Sequence, residues 1–257
     1  MAFFGSNVPE AGLGWLGRSL RQMIEGPVGT LHRFFSLDHN VLDELEREAV
    51  RESADYIRTA MAAALAIRSR EGLLAFACRN AGAEGLWLEF GVFKGYSLNF
   101  LARRARGRVF GFDSFRGLQE DWKGVGQVRG TFDLQGRLPR VRANVTLLPG
   151  WFADTLPGFL AANAGPIALV HLDCDTYEAT AYVLAQIHHR LTPDSVVILD
   201  DYHGVWGYRE GQFRAWAEFV AANAISYRYA AFNRHAVVLQ DIRRGAARRP
   251  VVQPPGI

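Results

Sequence analysis

Seven short apolar or β-rich runs, most of them separated by helix-like segments, constrain the fold of this 257-residue chain more than any other feature. Near-continuous apolar strands that alternate with helices are typical of a mostly parallel sheet covered on both faces. Only the last two runs are close enough in sequence to form an antiparallel hairpin. We therefore expect an α/β fold. The runs are GLWLEFGV, RVFGFDSF, NVTLLPGWF, PIALVHLD, SVVILDDY, ISYRYAAF and HAVVLQDI.

Composition divides the chain into four segments. Residues 1–40 mix glycine, proline and a short amphipathic piece, and we interpret them as an N-terminal extension that could act as a lid. Residues 41–84 place apolar side chains near helical spacing, which predicts two helices packed on the core. The α/β domain then occupies residues 85–241. Residues 242–257 form a basic tail that we expect to be disordered.

Charge and hydropathy exclude several classes of protein. The formal net charge is +3 and the tail alone holds four arginines, so the rest of the chain is not basic and we expect no nucleic-acid partner. The chain has no apolar run of about 18 residues and no signal-peptide pattern at its start, so we expect a cytoplasmic protein that does not bind membranes. Cys78 and Cys174 lie too far apart in sequence for a metal-binding motif, and they fit a reducing compartment.

A glycine turn follows the first strand-like run, in LEFGVFKGYS. Gly91 and Gly95 allow the backbone to turn sharply and approach a ligand, and Ser97 opens a helix whose free N–H groups suit an anion. The spacing is G-x-x-x-G and not the dinucleotide G-x-G-x-x-G, which lowers the weight of nicotinamide or flavin cofactors. The turn alone also fits an ordinary connection between a strand and a helix.

Two acidic residues sit beside this turn. Asp113 ends the next strand-like run, where an acid commonly accepts hydrogen bonds from ribose hydroxyls; the alternative is an aspartate that caps a turn. Glu89 lies within an apolar strand and needs a partner there, such as a ligand ammonium group. A ligand with a ribose, an ammonium and a carboxylate is an amino acid joined to a nucleoside.

Two further strand-like runs end in pairs of carboxylates. Asp173 and Asp175 close IALVHLDCD, and Asp200 and Asp201 close VVILDD. Neighbouring strands lie about 4.8 Å apart, so these acids would crowd one patch at the edge of the sheet. Like charges at about 4 Å repel by about 4 kcal/mol with an effective dielectric of about 20, unless a proton or a cation intervenes. Oxygen ligands without a nearby cysteine or histidine pair indicate Mg²⁺ or a similar hard ion.

Histidines and aromatic residues accompany these acids. His171 precedes one acidic pair and His203 follows the other, so either could support a metal site, although a lone histidine is more often structural. Several aromatic side chains fit either a ligand wall or ordinary core packing, and those in DDYHGVWGYREG favour a substrate wall. The aromatic residues are Trp122, Trp151, Phe152, Tyr202, Trp206 and Tyr208. The long connection over residues 116–143 is rich in glycine and charge, which favours a functional loop.

The motifs LEFGVFKGYS, FGFDSFRGL, HLDCDTYEAT and VVILDDYHG resemble, in order and spacing, those of the macrocin O-methyltransferase family. That family comprises class I, S-adenosylmethionine-dependent enzymes that methylate sugar hydroxyls in antibiotic biosynthesis. The resemblance covers roughly residues 85–241. It implies a Rossmann-like, seven-stranded sheet with a reversed last strand, and a bound divalent cation, usually Mg²⁺.

The resemblance also implies roles for individual residues. It makes Asp173, Asp200 and Asp201 the metal ligands and Asp175 the general base, and we add His203 as a second catalytic residue. The residues expected to contact S-adenosylmethionine are Glu89, Gly91, Gly95, Ser97, Asp113, Ser114, Trp151, Phe152 and Asp173.

The function implied is metal-dependent methylation of a hydroxyl on a small molecule, such as a sugar or a glycosylated natural product. An aspartate with a pKa near 3.9 cannot deprotonate a hydroxyl with a pKa near 15.7 unaided, because the difference of about 12 units corresponds to about 16 kcal/mol. Two alternatives stay open: a metal-dependent glycosyltransferase that uses the D-x-D in DCD, and a non-catalytic protein that binds S-adenosylmethionine. Pairing of the N-terminal helices in a homo-oligomer is also left open.

Overall fold

A single mixed sheet lies at the centre of the computed structural model, which describes residues 40–122 and 124–245. Each of the seven predicted runs contains a strand, and the described residues add an eighth, two-residue strand before them. The strands are Leu65–Ala66 (β1), Leu86–Phe90 (β2), Val109–Asp113 (β3), Val145–Pro149 (β4), Ile167–Leu172 (β5), Val196–Leu199 (β6), Ile225–Phe232 (β7) and Val237–Arg244 (β8).

The strand order is β1-β7-β8-β6-β5-β2-β3-β4. The pairs are parallel except for those made by β8, which runs antiparallel to both β6 and β7. This confirms the predicted α/β, Rossmann-like fold with a reversed last strand, with eight strands in place of seven. The extra strand, β1, pairs only two residues with β7, and such a short segment carries no periodic pattern in the sequence.

Helices cover both faces of the sheet. The α-helices are Val41–Ala60 (α1), Arg70–Asn80 (α2), Tyr96–Ala102 (α3), Phe152–Ala162 (α4), Tyr177–Ile187 (α5) and Gln212–Ala222 (α6), and short 3₁₀ helices span His188–Arg190 and Tyr208–Glu210. The helices α4, α5 and α6 pack in one hydrophobic cluster, and α2 and α3 contribute to the clusters on the other side.

The two central strands show why the sequence runs are continuously apolar. All six residues of β5 and all four of β6 are buried. Val197 and Leu199 belong to the cluster with α4, α5 and α6, whereas Val196 and Ile198 belong to a cluster with α2 and α3. Because successive side chains of a strand point to opposite faces, a strand with helices on both sides needs apolar residues at every position.

The segments around the α/β domain agree in part with the prediction. The two expected helices between residues 41 and 84 are α1 and α2. The strand β8 continues to Arg244, so residues 242–244 pair with β7 and are not part of a tail as predicted; Ile225 lies opposite Arg244. The predicted extension over residues 1–40, apart from Asn40, and the predicted tail beyond Gly245 lie outside the described residues. None of the helices in residues 40–122 and 124–245 is both long and apolar enough to cross a bilayer.

The direction of chain progression reverses between β2 and β5. From β2 the chain proceeds outward through β3 to β4, and it then returns to build β5 and β6 on the other side of β2. Ligands of doubly wound sheets bind at such a switch point, outside the carboxyl ends of the strands. We therefore expect the ligand-binding residues at the neighbouring carboxyl ends of β2, β5 and β6.

Candidate active site

A cavity of about 510 Å³ opens at the carboxyl ends of β2, β3, β5 and β6. The turn after β2 forms one wall, the start of α4 forms another, and acids after β5 and β6 line the floor. The long loop after β3 contributes several further residues. Of the residues predicted to form the site, those that line the cavity are Gly91, Asp113, Ser114, Trp151, Phe152, Asp173, Asp175, Asp200 and Asp201.

The turn after β2 presses against the end of β5. Gly91 has a φ of +88°, and a Cβ on it would lie 1.7 Å from the carbonyl oxygen of Asp173. The two strands are also joined there by a hydrogen bond of 2.8 Å from the amide of Asp173 to the carbonyl oxygen of Phe90. Glycine is therefore required at position 91 both by the backbone conformation and by the close approach of the two chains.

Asp113 fixes the shape of this turn. Its Oδ2 accepts hydrogen bonds from the amides of Val92 and Phe93, at 2.8 and 2.7 Å, and its Oδ1 accepts one from the amide of Phe115 at 2.6 Å. The turn-capping alternative thus describes the contacts that Asp113 makes. The same carboxylate also lines the cavity, where a carboxylate oxygen can accept a further bond.

Glu89 and Ser97 lie behind the cavity and not in its wall. Glu89 is fully buried, and its Oε1 accepts a hydrogen bond of 2.6 Å from the Ser97 hydroxyl. Its Oε2 lies 3.6 Å from Nδ1 of His171. Ser97 supplies a partner for Oε1 of Glu89, whereas Oε2 is buried without a hydrogen-bond partner among the described residues; Gly95 also lies off the cavity. Glu89, Gly95 and Ser97 therefore do not line the cavity, and their contact with a ligand stays a prediction.

His171 connects Glu89 to the acids at the cavity floor. Its Nε2 lies 3.2 Å from Oδ1 of Asp200. Burial opposes protonation of the imidazole, but the contacts with Asp200 and Glu89 outweigh it and raise the pKa of His171 to about 10. The same interaction with His171 outweighs burial at Asp200 and lowers its pKa to about 2. A charged pair between His171 and Asp200 follows.

Three of the four aspartates converge. Asp173, Asp175 and Asp201 each place a carboxylate oxygen within 4.8 Å of the others. Burial, followed by repulsion from Asp200, raises the pKa of Asp173 well above its usual range, and burial with repulsion from Asp175 does the same for Asp201. Burial also raises the pKa of Asp175 to about 7, although a hydrogen bond with Asp201 acts to lower it. The cluster therefore has more negative charge than its surroundings compensate.

Asp200, the fourth aspartate, is turned toward Arg70. Nη2 of Arg70 lies 2.5 Å from Oδ2 of Asp173 and 3.0 Å from Oδ2 of Asp200, and its Nε lies 3.4 Å from Oδ1 of Asp200. The predicted ligand set of Asp173, Asp200 and Asp201 is thus present in one patch. Two of its members, however, share a guanidinium group.

These residues fit a hard divalent cation. The donors are carboxylate oxygens, and oxygens of Asp173 and Asp200 already converge on one positively charged nitrogen. The four aspartates share one guanidinium, that of Arg70, and the imidazole of His171 lies between Asp200 and Glu89, so the carboxylates outnumber the cationic side chains around them. A divalent ion would supply positive charge there.

The long loop after β3 forms part of the cavity, as its length predicts. Trp122 and Phe132 line the cavity from this loop. The Thr176 hydroxyl, at the start of α5, donates a hydrogen bond of 2.5 Å to Glu120 of the loop. Farther along, the amide of Gly207 donates to the carbonyl oxygen of Gly124 at 3.0 Å. These hydrogen bonds join the loop to the segments that follow β5 and β6.

The segment after Asp201 departs from the prediction. His203 is 2% exposed and lies off the cavity, and its Nε2 has no hydrogen-bond partner among the described residues. Burial lowers the pKa of His203 to about 4. The structure therefore places His203 away from the cavity, and its catalytic role stays a prediction. Tyr202 and Tyr208 are core residues and Trp206 is a surface residue, so the expected substrate wall is not formed by them.

Sequence reasoning also missed several residues of the cavity. Arg70 comes from the start of α2, far from the motifs in sequence, and no pattern in the chain marks it. Other missed lining residues are Phe93, Leu118, Glu120, Phe132, Glu178 and Tyr182. The length and composition of the connection over residues 116–143 was the signal that could have located three of them.

Known proteins resemble the region that forms this site. Residues 88–202 match a family model described as a methyltransferase domain. A relative from Streptomyces olivaceus, 8-demethyl-8-(2,3-dimethoxy-alpha-L-rhamnosyl)-tetracenomycin-C 4'-O-methyltransferase, is 38% identical over 47% of this chain and 54% of the relative. Mycinamicin III 3''-O-methyltransferase from Micromonospora griseorubida is 43% identical over 23% of this chain and 22% of that protein. The chain therefore spans about half, or less, of the length of these relatives.

A solved structure supports the fold. The calicheamicin methyltransferase CalS11 is 20% identical, with a TM-score of 0.53 over 96% of this chain and 100% of that chain. Residues 88–202 are thus similar to a methyltransferase domain, and the fold is similar to that of a solved methyltransferase. Within that class, the two curated relatives described above are O-methyltransferases.

Proposed function

We propose that this chain is an S-adenosylmethionine-dependent O-methyltransferase of the macrocin O-methyltransferase type, and that it methylates a hydroxyl of a sugar on a glycosylated natural product. The observation that carries the proposal is the cavity at the switch point of a methyltransferase domain, with a glycine turn on one side and an acidic cluster on its floor. The relatives support the proposal that the methyl acceptor is a sugar hydroxyl, since one of them is a 4'-O-methyltransferase of a rhamnosyl tetracenomycin.

The turn after β2 and the start of α4 would hold the methyl donor. Gly91 leaves room for a ligand to approach the backbone, and Asp113 and Ser114 offer oxygens beside it. Trp151 and Phe152 provide an apolar wall of the kind that an adenine needs. The sulfonium methyl would then face the acids on the cavity floor.

The acidic cluster would hold a divalent cation through Asp173, Asp200 and Asp201. Such an ion, when bound, lowers the pKa of a coordinated hydroxyl by many units. Asp175 lines the cavity next to these residues, and we assign it the role of general base: it accepts the proton of the acceptor hydroxyl as the methyl group passes from sulfur to oxygen. Glu89 and His171 hold the floor in place from behind.

The test is a methyl-transfer assay with S-adenosylmethionine labelled in its methyl group and a set of rhamnosylated acceptors. We expect label in the acceptor, loss of transfer in excess chelator, and recovery on addition of Mg²⁺. Asp175→Asn should lower kcat by at least about 100-fold, since general-base catalysis contributes that much. The control Asp154→Asn removes an exposed carboxylate that does not line the cavity, and it should retain the wild-type rate. Undiminished transfer in chelator, or by Asp175→Asn, contradicts the proposal.

A further inference from the structure

Arg70 stands where the proposed cation would have to bind. Its Nη2 contacts Oδ2 of Asp173 at 2.5 Å and Oδ2 of Asp200 at 3.0 Å. A divalent ion held by Asp173 and Asp200 would need carboxylate oxygens that this nitrogen now contacts. The two cations therefore exclude one another at these oxygens.

The position of Arg70 on its own helix points to a role outside helix stability. Arg70 is the first residue of α2, directly after the N-cap Ser69. A positive charge at the N-terminus of a helix is unfavourable, because it faces the positive end of the helix dipole. The acids of the cavity floor offset this cost, so it is their charge that fixes the guanidinium.

The side chain of Arg70 is more exposed than the acids that it contacts. It is 38% exposed, whereas those of Asp173 and Asp200 are 20% and 16% exposed. Its long, flexible side chain reaches the acids from outside the residues that match the methyltransferase domain. Departure of Arg70 would free Oδ2 of Asp173 and Oδ2 of Asp200, while Oδ1 of Asp200 would keep its contact with His171.

We infer that Arg70 is a resident counter-cation of the acidic cluster, which competes with a divalent ion for Asp173 and Asp200 and must swing away when the ion binds. The inference rests on the proposed metal dependence of this same site. If so, Arg70 lowers the affinity of the acidic cluster for the divalent ion. In the absence of the ion, the guanidinium of Arg70 balances part of the negative charge of the cluster.

The experiment titrates Mn²⁺ into the full chain and follows free Mn²⁺ by electron paramagnetic resonance, with no methyl donor or acceptor present. Arg70→Met keeps the length and removes the charge, and we expect its Kd for Mn²⁺ to fall roughly tenfold or more below that of the wild type. Arg70→Lys keeps the charge and should stay near the wild type. The control is Arg68→Met, which removes an exposed arginine two residues away that does not line the cavity, and its Kd should not change.

Chemical rescue provides a second measurement. Guanidinium ion at a few tens of millimolar should weaken Mn²⁺ binding by Arg70→Met and have little effect on the wild type. A Kd of Arg70→Met equal to or above the wild-type value, or a uniform effect of guanidinium, overturns the inference while leaving the proposed methyl transfer untouched. Failure of every variant to bind Mn²⁺ overturns both the inference and the metal dependence. An inactive methyl-transfer assay would not alter the Kd comparison.

Discussion

Replacement of Gly91 by alanine tests the close approach of β2 and β5 on which the cavity depends. The added Cβ would lie 1.7 Å from the Asp173 carbonyl oxygen, where separations under 3.0 Å essentially never occur, so the strand ends would have to part by more than an ångström. The positive φ adds a cost of about 1–2 kcal/mol for any residue with a Cβ. Overpacking adds about 1–3 kcal/mol, or more where only backbone can yield.

Gly130→Ala provides the matched control. Gly130 has a φ of +83°, close to the +88° of Gly91, and a Cβ on it would meet nothing within 4 Å. The conformational cost and the change in the unfolded chain are therefore nearly the same in both variants and cancel in the comparison. The difference between them isolates the overlap with Asp173.

The assay is urea unfolding followed by circular dichroism, together with calorimetric titration of S-adenosylhomocysteine. We expect Gly91→Ala to be less stable than Gly130→Ala by about 1–3 kcal/mol or more, and to bind the ligand more weakly than Gly130→Ala does. Equal stability of the two variants, with equal affinity for the ligand, would show that the contact between the turn and β5 does not shape the site.

Three further substitutions test other parts of the account. Asp113→Asn exchanges one acceptor oxygen for a donor facing the backbone amides of the turn, so it should cost about 1–3 kcal/mol in urea unfolding and weaken S-adenosylhomocysteine binding in calorimetry; an unchanged unfolding midpoint would contradict this. Ser97→Ala strips buried Glu89 of a hydrogen bond and should lower the free energy of unfolding by about 1–3 kcal/mol, which a wild-type unfolding curve would rule out. His203→Leu should retain the methyl-transfer rate within about twofold, since His203 lies off the cavity; a large fall in kcat in a stable variant would support its catalytic role.

The strands and the acidic floor could be predicted because both arise from local sequence. The runs that form β5 and β6 are apolar at nearly every position, with His171 as the exception, and each ends in carboxylates. Parallel pairing then brings Asp173 and Asp200 to the same edge, since Leu172 lies opposite Leu199. Only the alternation of strands and helices was needed to infer this juxtaposition.

Arg70 could not be predicted because its contacts are set by the packing of α2. It lies 103 positions before Asp173 and 130 before Asp200, and the neighbouring residues have no motif. An arginine at the start of a helix is usually a solvent-exposed residue, and nothing in the sequence distinguishes Arg70 from Arg68. The identity of the counter-charge therefore required the three-dimensional structure.

The predicted role of His203 rested on its closeness to the acids in sequence, whereas the structure places His203 off the cavity. After Asp201 the backbone turns toward the hairpin of β7 and β8, where the amides of Tyr202 and His203 both donate to the carbonyl oxygen of His235. The imidazole is carried with it and packs against Phe232, with ring centroids 6.3 Å apart. Proximity in the chain does not determine on which side of a turn a side chain lies.

The most direct test of the account is a crystal structure of the full chain with S-adenosylhomocysteine and Mn²⁺. We expect the ligand along the Gly91 turn, with its sulfur toward the cavity floor, and an anomalous manganese peak among Asp173, Asp200 and Asp201 with Arg70 displaced. A ligand bound elsewhere, or manganese absent while Arg70 still joins Asp173 and Asp200, would contradict it.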